Sequence, residues 1–219
     1  MKKLIYTIFN QTVISNFCTL LSSFSTFFLV IISYSGLKTW KNQINTNKKI
    51  DLIDQLCTSI IEYNKQMTIA LQMLGFIEIS IDSHKKVADL INNSKENSGV
   101  IEYIKIRGQI DGMQLQNCLK NISSSLHTII LLSLKCDTFW HTEYKECDSK
   151  VLDLVDCYMK VESVANIISS PSLNWEEQEI LNKLHEALSI KSKDIYKKLI
   201  KSSKDIMEFL GKFYLLLLK

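Results

Sequence analysis

The side chains best suited to hold a metal ion lie past the middle of the chain. Cys136, His141 and Cys147 occupy a stretch whose apolar pattern predicts helix, and cysteine and histidine are ligands that zinc prefers. Structural zinc sites separate paired ligands by two to four residues and use four ligands in all, and this stretch meets neither condition. Cys147 also falls on the apolar side of the predicted helix, where a reduced cysteine packs as a small hydrophobic residue. We therefore expect neither a metal nor another cofactor.

The sequence patterns that mark known catalytic sites are incomplete wherever they begin. His141-Thr142-Glu143 has the H-x-E spacing of zinc deaminases, but no P-C-x-x-C follows it. His185-Glu186 lacks the second histidine of the zinc-protease motif H-E-x-x-H. The phosphate-binding patterns G-x-x-x-x-G-K-[ST] and G-x-G-x-x-G do not occur. The sequence therefore predicts a protein that is not an enzyme and assigns no catalytic residue.

A run of lysines near the C-terminus is the most basic part of the chain. Aspartates are interleaved with it, which is typical of a solvated helix face, and contact with anionic lipid or nucleic acid is the alternative. The whole chain carries 26 Lys and Arg against 23 Asp and Glu, a net charge of +3. This charge is too small to predict direct nucleic-acid binding. The lysines of the run are Lys191, Lys193, Lys197, Lys198, Lys201 and Lys204.

Small and hydroxylated residues recur at steps of three and four in the first part of the chain. In a bilayer, a helix face of this kind allows two helices to approach closely, and hydroxyls bond across the contact. Serine and threonine also bond back to their own helix backbone, which is the alternative explanation. We favour self-association through this membrane association face. Its residues are Ser15, Cys18, Thr19, Ser22, Ser25, Thr26 and Ser33.

These residues belong to an uncharged segment that is long enough to cross a membrane. No charged residue occurs from Leu4 to Leu37, and Phe17–Leu37 is mostly apolar. About 20 such residues cross the hydrocarbon layer as a helix, which satisfies its own backbone hydrogen bonds. A cleaved signal peptide is disfavoured, because its apolar region is shorter and ends at a small-residue cleavage site that this sequence lacks. Lys38-Thr39-Trp40-Lys41 instead has the basic flank and interfacial tryptophan of a membrane helix end.

The distribution of lysines predicts which side of the membrane the rest of the chain occupies. Lysines are more numerous after the predicted span than before it, and basic flanks remain on the cytoplasmic side. Six cysteines without paired short spacing agree with a reducing compartment. Lysine supplies nearly all basic residues, and Ile, Asn and Ser are abundant, which indicates an AT-rich bacterial gene. We expect a single-pass protein of the bacterial inner membrane with a cytoplasmic C-terminal domain. A second topology has Leu4–Ile14 re-enter the membrane as half a hairpin.

The remaining residues have the periodicity of long helices. From Ile53 to Ile81 the apolar residues alternate at steps of three and four, as in helices that pack like coiled coils. One proline and six glycines leave few interruptions. The prediction is an all-α chain in which a transmembrane helix, about 17–37 within domain 1–37, precedes an up-down-up-down bundle of four helices in domain 38–219. The four helices are predicted at 43–92, 100–134, 139–169 and 174–218.

This topology predicts which parts of the bundle lie near lipid. The turns at 92–99 and 169–174 are polar and belong at the distant end, whereas the turn at 135–141 contains aromatic residues. The C-terminal leucine run is too short to span a bilayer, so it either enters the interface or packs in the core. The predicted membrane-interface residues are Trp40, Phe139, Trp140, Leu215, Leu216, Leu217 and Leu218.

The exit from the predicted span carries a resemblance. The pattern W-K-x-Q before a long helix occurs in Leu37-Lys38-Thr39-Trp40-Lys41-Asn42-Gln43. It resembles small uncharacterised bacterial membrane-anchored helical proteins, some of which are toxic effectors of anti-phage systems, including those paired with retron reverse transcriptases. The resemblance covers residues 1–60 and includes no catalytic motif. It implies a partner complex that keeps the effector silent until infection.

Two functions agree with these features. In the first, the chain is an effector that associates in the bilayer and perturbs it when a cytoplasmic partner releases it. In the second, it is a passive scaffold or sensor whose bundle docks a cytoplasmic protein or nucleoprotein. We expect the first, because a passive anchor does not require a hydroxylated face.

Overall fold

The structure is a computed structural model that describes the backbone of residues 2–91, 97–140 and 145–217 and the side chains of 25–88, 97–140 and 147–217. Every regular element in these ranges is helical, which confirms the predicted all-α class for them. The chain divides into two compact units, of which the first ends at Lys49 and the second comprises Ile50–Lys219. The elements are α1 (Lys2–Ile91), α2 (Ser98–Tyr103), a π turn (Ile104–Gly108), α3 (Gln109–Trp140), α4 (Lys145–Ile168), α5 (Gln178–Ser189) and α6 (Ser192–Leu217).

The second unit contains a continuous apolar core. The residues that the 3.5-residue repeat places on one face of α1 are all buried, as predicted. A helix of 3.6 residues per turn brings such positions onto one side, where their burial stabilises the fold. These residues are Ile53, Leu56, Ile60, Tyr63, Met67, Ala70, Leu74, Ile77 and Ile81.

α2, the π turn and α3 form one unbroken helical stretch. Tyr103, Ile104 and Gln109 all have helical backbone angles, so the π turn inserts an extra residue without ending the helix. The stretch continues to Trp140 and does not end at 134 as predicted. The physical reason is that Leu132, Cys136 and Trp140 are buried at helical spacing, so the apolar face continues through this segment. The predicted start of the third helix at 139 is wrong for the same reason, and residues 141–144 lie outside the described backbone.

Two glycines bring this stretch against the end of α4. A Cβ atom on Gly108 would stand 2.6 Å from the Ile168 carbonyl oxygen, and one on Gly112 would stand 2.7 Å from the Ser169 nitrogen. Only glycine permits such a close backbone approach. Ile168 also ends α4, close to the predicted end, shortly before Pro171, which cannot continue a helix.

The fourth predicted helix is not continuous. α5 ends at Ser189, Ile190 is extended, and α6 begins at Ser192. The prediction of one helix over 174–218 is therefore wrong. The extended backbone of Ile190 interrupts the helical hydrogen bonds here, and Glu78 on α1 accepts a hydrogen bond from the Ser192 N–H. Asn174 accepts a hydrogen bond from the Glu176 N–H at 3.3 Å, and α5 begins only at Gln178.

Polar contacts show how the helices of the second unit run past one another. Gln116 on α3 donates to Asn166 on α4 at 2.9 Å, and Ser133 donates to Asp148 at 3.5 Å. Residues near the start of α3 therefore contact residues near the end of α4, so the two helices are antiparallel. α4 and α6 are also antiparallel, since Lys150 pairs with Asp205 and Asp153 with Ser202.

α1 runs antiparallel to two other elements. It is antiparallel to α6, since Asn64 contacts Ser203 and Glu78 contacts Ser192. It is antiparallel to the α2–α3 stretch, since Gln66 contacts Ser125 and His84 contacts Tyr103.

Candidate functional site

An apolar segment of α1 is uncovered around its whole circumference. Every residue from Phe27 to Ile32 is apolar, and each is between 45% and 65% exposed. Tyr34, Leu37 and Trp40 are exposed as well. An amphipathic helix buries one side and leaves polar residues on the other, whereas a helix that is apolar all round requires an apolar environment. We call Phe27–Ile32 the apolar run.

The apolar run belongs to the predicted span, which the structure describes only in part. Phe17–Phe24 lie outside the described side chains. Within the described part of the chain, no helical segment combines the length and the apolar character needed to cross a membrane.

The predicted membrane association face is also described in part. Ser25, Thr26 and Ser33 are exposed on α1, and Ser15, Cys18, Thr19 and Ser22 lie outside the described side chains. A nearby hydroxyl bonds within its own helix, since Thr39 donates to the Ser35 carbonyl at 2.9 Å. This contact is the backbone alternative considered above for such hydroxyls.

Some of the predicted membrane-interface residues are exposed in the structure and others are buried. Trp40 and Phe139 are exposed, and Leu215 and Leu216 are each 64% exposed. Trp140 is only 8% exposed, and its ring centroid lies 5.6 Å from that of Phe213. Leu217 is half-buried against the core, and Leu218 lies outside the described residues. Trp140 is therefore a packing residue, placed inward by the extension of α3.

The structure describes Cys136 and Cys147 from the set discussed for zinc, but not His141. Both cysteines are buried. No group of three His, Cys, Asp or Glu side chains among the described residues is arranged to hold a metal ion. Burial raises the pKa of another cysteine, Cys157, to about 11, so its thiol is a weak nucleophile at neutral pH.

A charged cluster joins α4 to α6, and no local sequence motif marks it. Lys198 lies 2.9 Å from Asp153 and 3.0 Å from Asp156, and Ser202 donates to Asp153 at 3.2 Å. The hydrogen bond from Lys198 lowers the pKa of Asp153, and a bond from Lys160 lowers the pKa of Asp156. The two carboxylates in turn raise the pKa of Lys198. Lys198 thus differs from the rest of the predicted lysine run, because it faces the partner helix.

The outward lysines of α6 are exposed to solvent. Lys197 lies 3.9 Å from Asp194, and Lys204 lies 3.5 Å from Glu208. Exposed pairs of this kind, three or four residues apart on a helix, contribute little stability. Their arrangement agrees with the solvated face that the sequence analysis favoured.

A wide cavity in the second unit lies between α2 and the segment that leads into α5. Its volume is about 1160 Å³, and it is open to solvent. Trp175, Leu181 and Ile101 line it, together with the charged residues Glu102 and Lys105. Such a groove is able to accept an apolar group, but its charges do not select a particular ligand.

A second exposed apolar surface lies on the part of α1 within the second unit. Its members fall in an arc of about 80° at 100° per residue, opposite the buried face. They are between 51% and 67% exposed. We call this set the outer stripe, and it consists of Ile61, Ile69, Phe76, Ile79 and Val87.

Comparisons with family models, with curated proteins and with solved structures found no match for this chain.

Proposed function

We propose that this chain is a membrane-anchored effector that associates in the bilayer through its N-terminal helix and perturbs it when a cytoplasmic partner releases it. The observation that carries the proposal is the apolar run, Phe27–Ile32, whose side chains are all exposed. Burying apolar surface contributes about 25 cal/mol per Å², and a bilayer covers a helix on every side. Anchored chains perturb the bilayer when their helices associate through the membrane association face.

The proposed location is the bacterial inner membrane, with one span over about 17–37 and the C-terminal domain in the cytoplasm. Lysines after the span support this orientation. Cys57, Cys118 and Cys157 are thiols, in keeping with a reducing compartment. Anti-phage defence is the setting that the resemblance of Leu37–Gln43 implies.

We also propose that the helices of the second unit form an up-down-up-down bundle. The antiparallel pairs α1 with α3, α3 with α4, α4 with α6 and α6 with α1 support this arrangement, with α5 and α6 together as the fourth member.

A passive scaffold or sensor is the second candidate, and the outer stripe favours it. Exposed apolar residues that line one face of a helix commonly mark a protein contact. In this case the second unit docks a cytoplasmic protein or nucleoprotein, and the N-terminal helix only sets its location. The two candidates share the anchor and differ in whether the bilayer is perturbed.

Placing charges in the apolar run tests the anchor. We expect L29K with I32D to move the protein from the membrane fraction to the soluble fraction, because a charge at the centre of a span costs about 2.5–3.5 kcal/mol. The measurement is fractionation of cells followed by alkaline extraction of the membranes.

The matched control places the same charges on the outer stripe. F76K with I79D changes two equally exposed apolar residues of the same helix and should leave the protein in the membrane fraction. Extraction of both variants together, or of neither, would contradict the proposal that the apolar run is the anchor.

A further inference from the structure

The junction between α5 and α6 departs from the structure that its own residues favour. Ile190 follows α5 in an extended conformation, with φ −74° and ψ 120°. Neither Ile190 nor Lys191 is glycine or proline, and the residues on both sides are compatible with helix. Local preference therefore favours one continuous helix, so the cause of the break lies elsewhere in the molecule.

A carboxylate on α1 binds the first residue of α6. Glu78 accepts a hydrogen bond from the Ser192 backbone N–H at 2.6 Å and another from the Ser192 hydroxyl at 3.0 Å, one on each oxygen. The first N–H groups of a helix lack partners within it, and its dipole favours negative charge there. We call this contact the Glu78 latch. It stabilises a helix that begins at Ser192, because in a continuous helix the same N–H would bond to the Leu188 carbonyl.

The atoms around the Glu78 latch are in ordinary contact with it. A Cβ atom on Gly75, one turn earlier on α1, would stand 3.5 Å from the Ser192 hydroxyl oxygen, which is ordinary contact. The Lys191 carbonyl accepts hydrogen bonds from the N–H groups of Asp194 and Ile195, which begins the ladder of α6. A cavity of about 20 Å³ beside Glu78 has room for one water molecule. Glu78 on α1 therefore binds the backbone directly at the break between α5 and α6.

We propose that the Glu78 latch is a conformational switch. While Glu78 binds Ser192, the chain has two helices, and when Glu78 is withdrawn, residues 178–217 join into one. Joining requires the Ile190 backbone to turn from extended to helical and changes the direction of α5. Leu184 and Ala187, now buried, would then leave their places in the core. The switch lies within Ile50–Lys219, so it does not depend on the proposed membrane function.

Hydrogen exchange on the full-length protein tests the switch, because the two states differ at single amides. In the latched state the Lys191 and Lys193 amides lie at a helix start and should exchange fast. We expect E78A to slow both to the rates measured in the middle of α6, since each gains a partner in a continuous helix. Unchanged rates, or faster exchange confined to 192–195, would show that Glu78 is only a helix cap and would overturn the proposal.

Three further variants control for effects of E78A that do not involve the junction between α5 and α6. E62A removes an exposed glutamate of α1 that accepts a hydrogen bond from its neighbour Gln66, and it should leave the junction unchanged. E78A with K191P should restore fast exchange at Lys193, because proline disfavours helix at the preceding residue and lacks an N–H. Amides of α3 report on folding in every variant. If E78A loses their protection, E78M decides, because methionine keeps the length of the side chain and has no oxygen to accept the bond. Slower exchange at Lys191 and Lys193 supports the switch, and its absence overturns it.

Discussion

At the scale of single residues, the glycines of the α2–α3 stretch show that local preference and tertiary packing make opposite demands. Glycine weakens a helix by about 1 kcal/mol relative to alanine, so Gly108 and Gly112 mark a weak segment in the sequence. In the structure the same residues allow two backbones to approach closely. Their contribution therefore lies in packing against the end of α4, which no local pattern reveals.

Substituting these glycines separates the two effects. We expect G108A to lower the free energy of unfolding by about 1–3 kcal/mol, because its new Cβ atom would overlap the Ile168 carbonyl oxygen. The measurement is urea unfolding of the full chain in a mild detergent. The control is G211A in α6, where no atom lies within 4 Å of the added Cβ, and it should stabilise the protein by about 0.5–1 kcal/mol. Equal effects at both positions would contradict the role of close approach.

At the scale of elements, the charged cluster of Lys198, Asp153 and Asp156 links α4 to α6. The folded state lowers the pKa of both aspartates below the ordinary value of 3.8. Their stabilising effect is therefore complete above that value and is lost as the pH falls through the lower, folded values. All three groups are partly exposed, so solvent weakens the effect.

Removal of the central cation should change stability in acid. We expect K198M to lessen the fall in urea midpoint below pH 3.8, because Asp153 loses the hydrogen bond that lowers its pKa most, whereas Asp156 keeps its bond from Lys160. The experiment compares urea midpoints of the wild type and the variant from pH 7 to pH 2.5. K201M, on the outward side of α6, is the matched control and should follow the wild type. A K198M curve that falls as steeply as the wild type would contradict the assignment.

At the scale of the whole molecule, the two candidate functions differ in what the N-terminal helix does to the bilayer. An effector should dissipate the membrane potential, whereas a passive anchor should not. The apolar run supports insertion in both cases. The effector requires the membrane association face and the passive anchor does not, because close contact between helices in lipid depends on small residues.

Induced expression in bacteria tests this difference. We expect the wild type to depolarise the inner membrane rapidly, and S22L with T26L to abolish the effect by enlarging two residues of the membrane association face. A potential-sensitive dye measures the outcome. S23L with S35L, off that face, should depolarise as the wild type does. Harmless wild-type expression would favour the scaffold.

The sequence by itself determined the all-α class and the buried face of α1, because both follow from the spacing of side chains along one segment. The α1 face from Ile53 to Ile81 is buried throughout, and Pro171 lies just beyond the end of α4. The exposed apolar run also lies where composition alone predicts a span. These features depend on residues within a few turns of one another, which a linear pattern records.

Only the tertiary structure decided where helices extend, break and touch. Trp140 is a core residue because α3 continues far enough to meet Phe213, and α6 begins at Ser192, where Glu78, distant in sequence, binds the backbone N–H. Gly108 and Lys198 likewise acquire their roles from partners on other helices. The physical reason is that each outcome depends on a contact between distant segments, whose energy of a few kcal/mol exceeds the small differences in local helix preference.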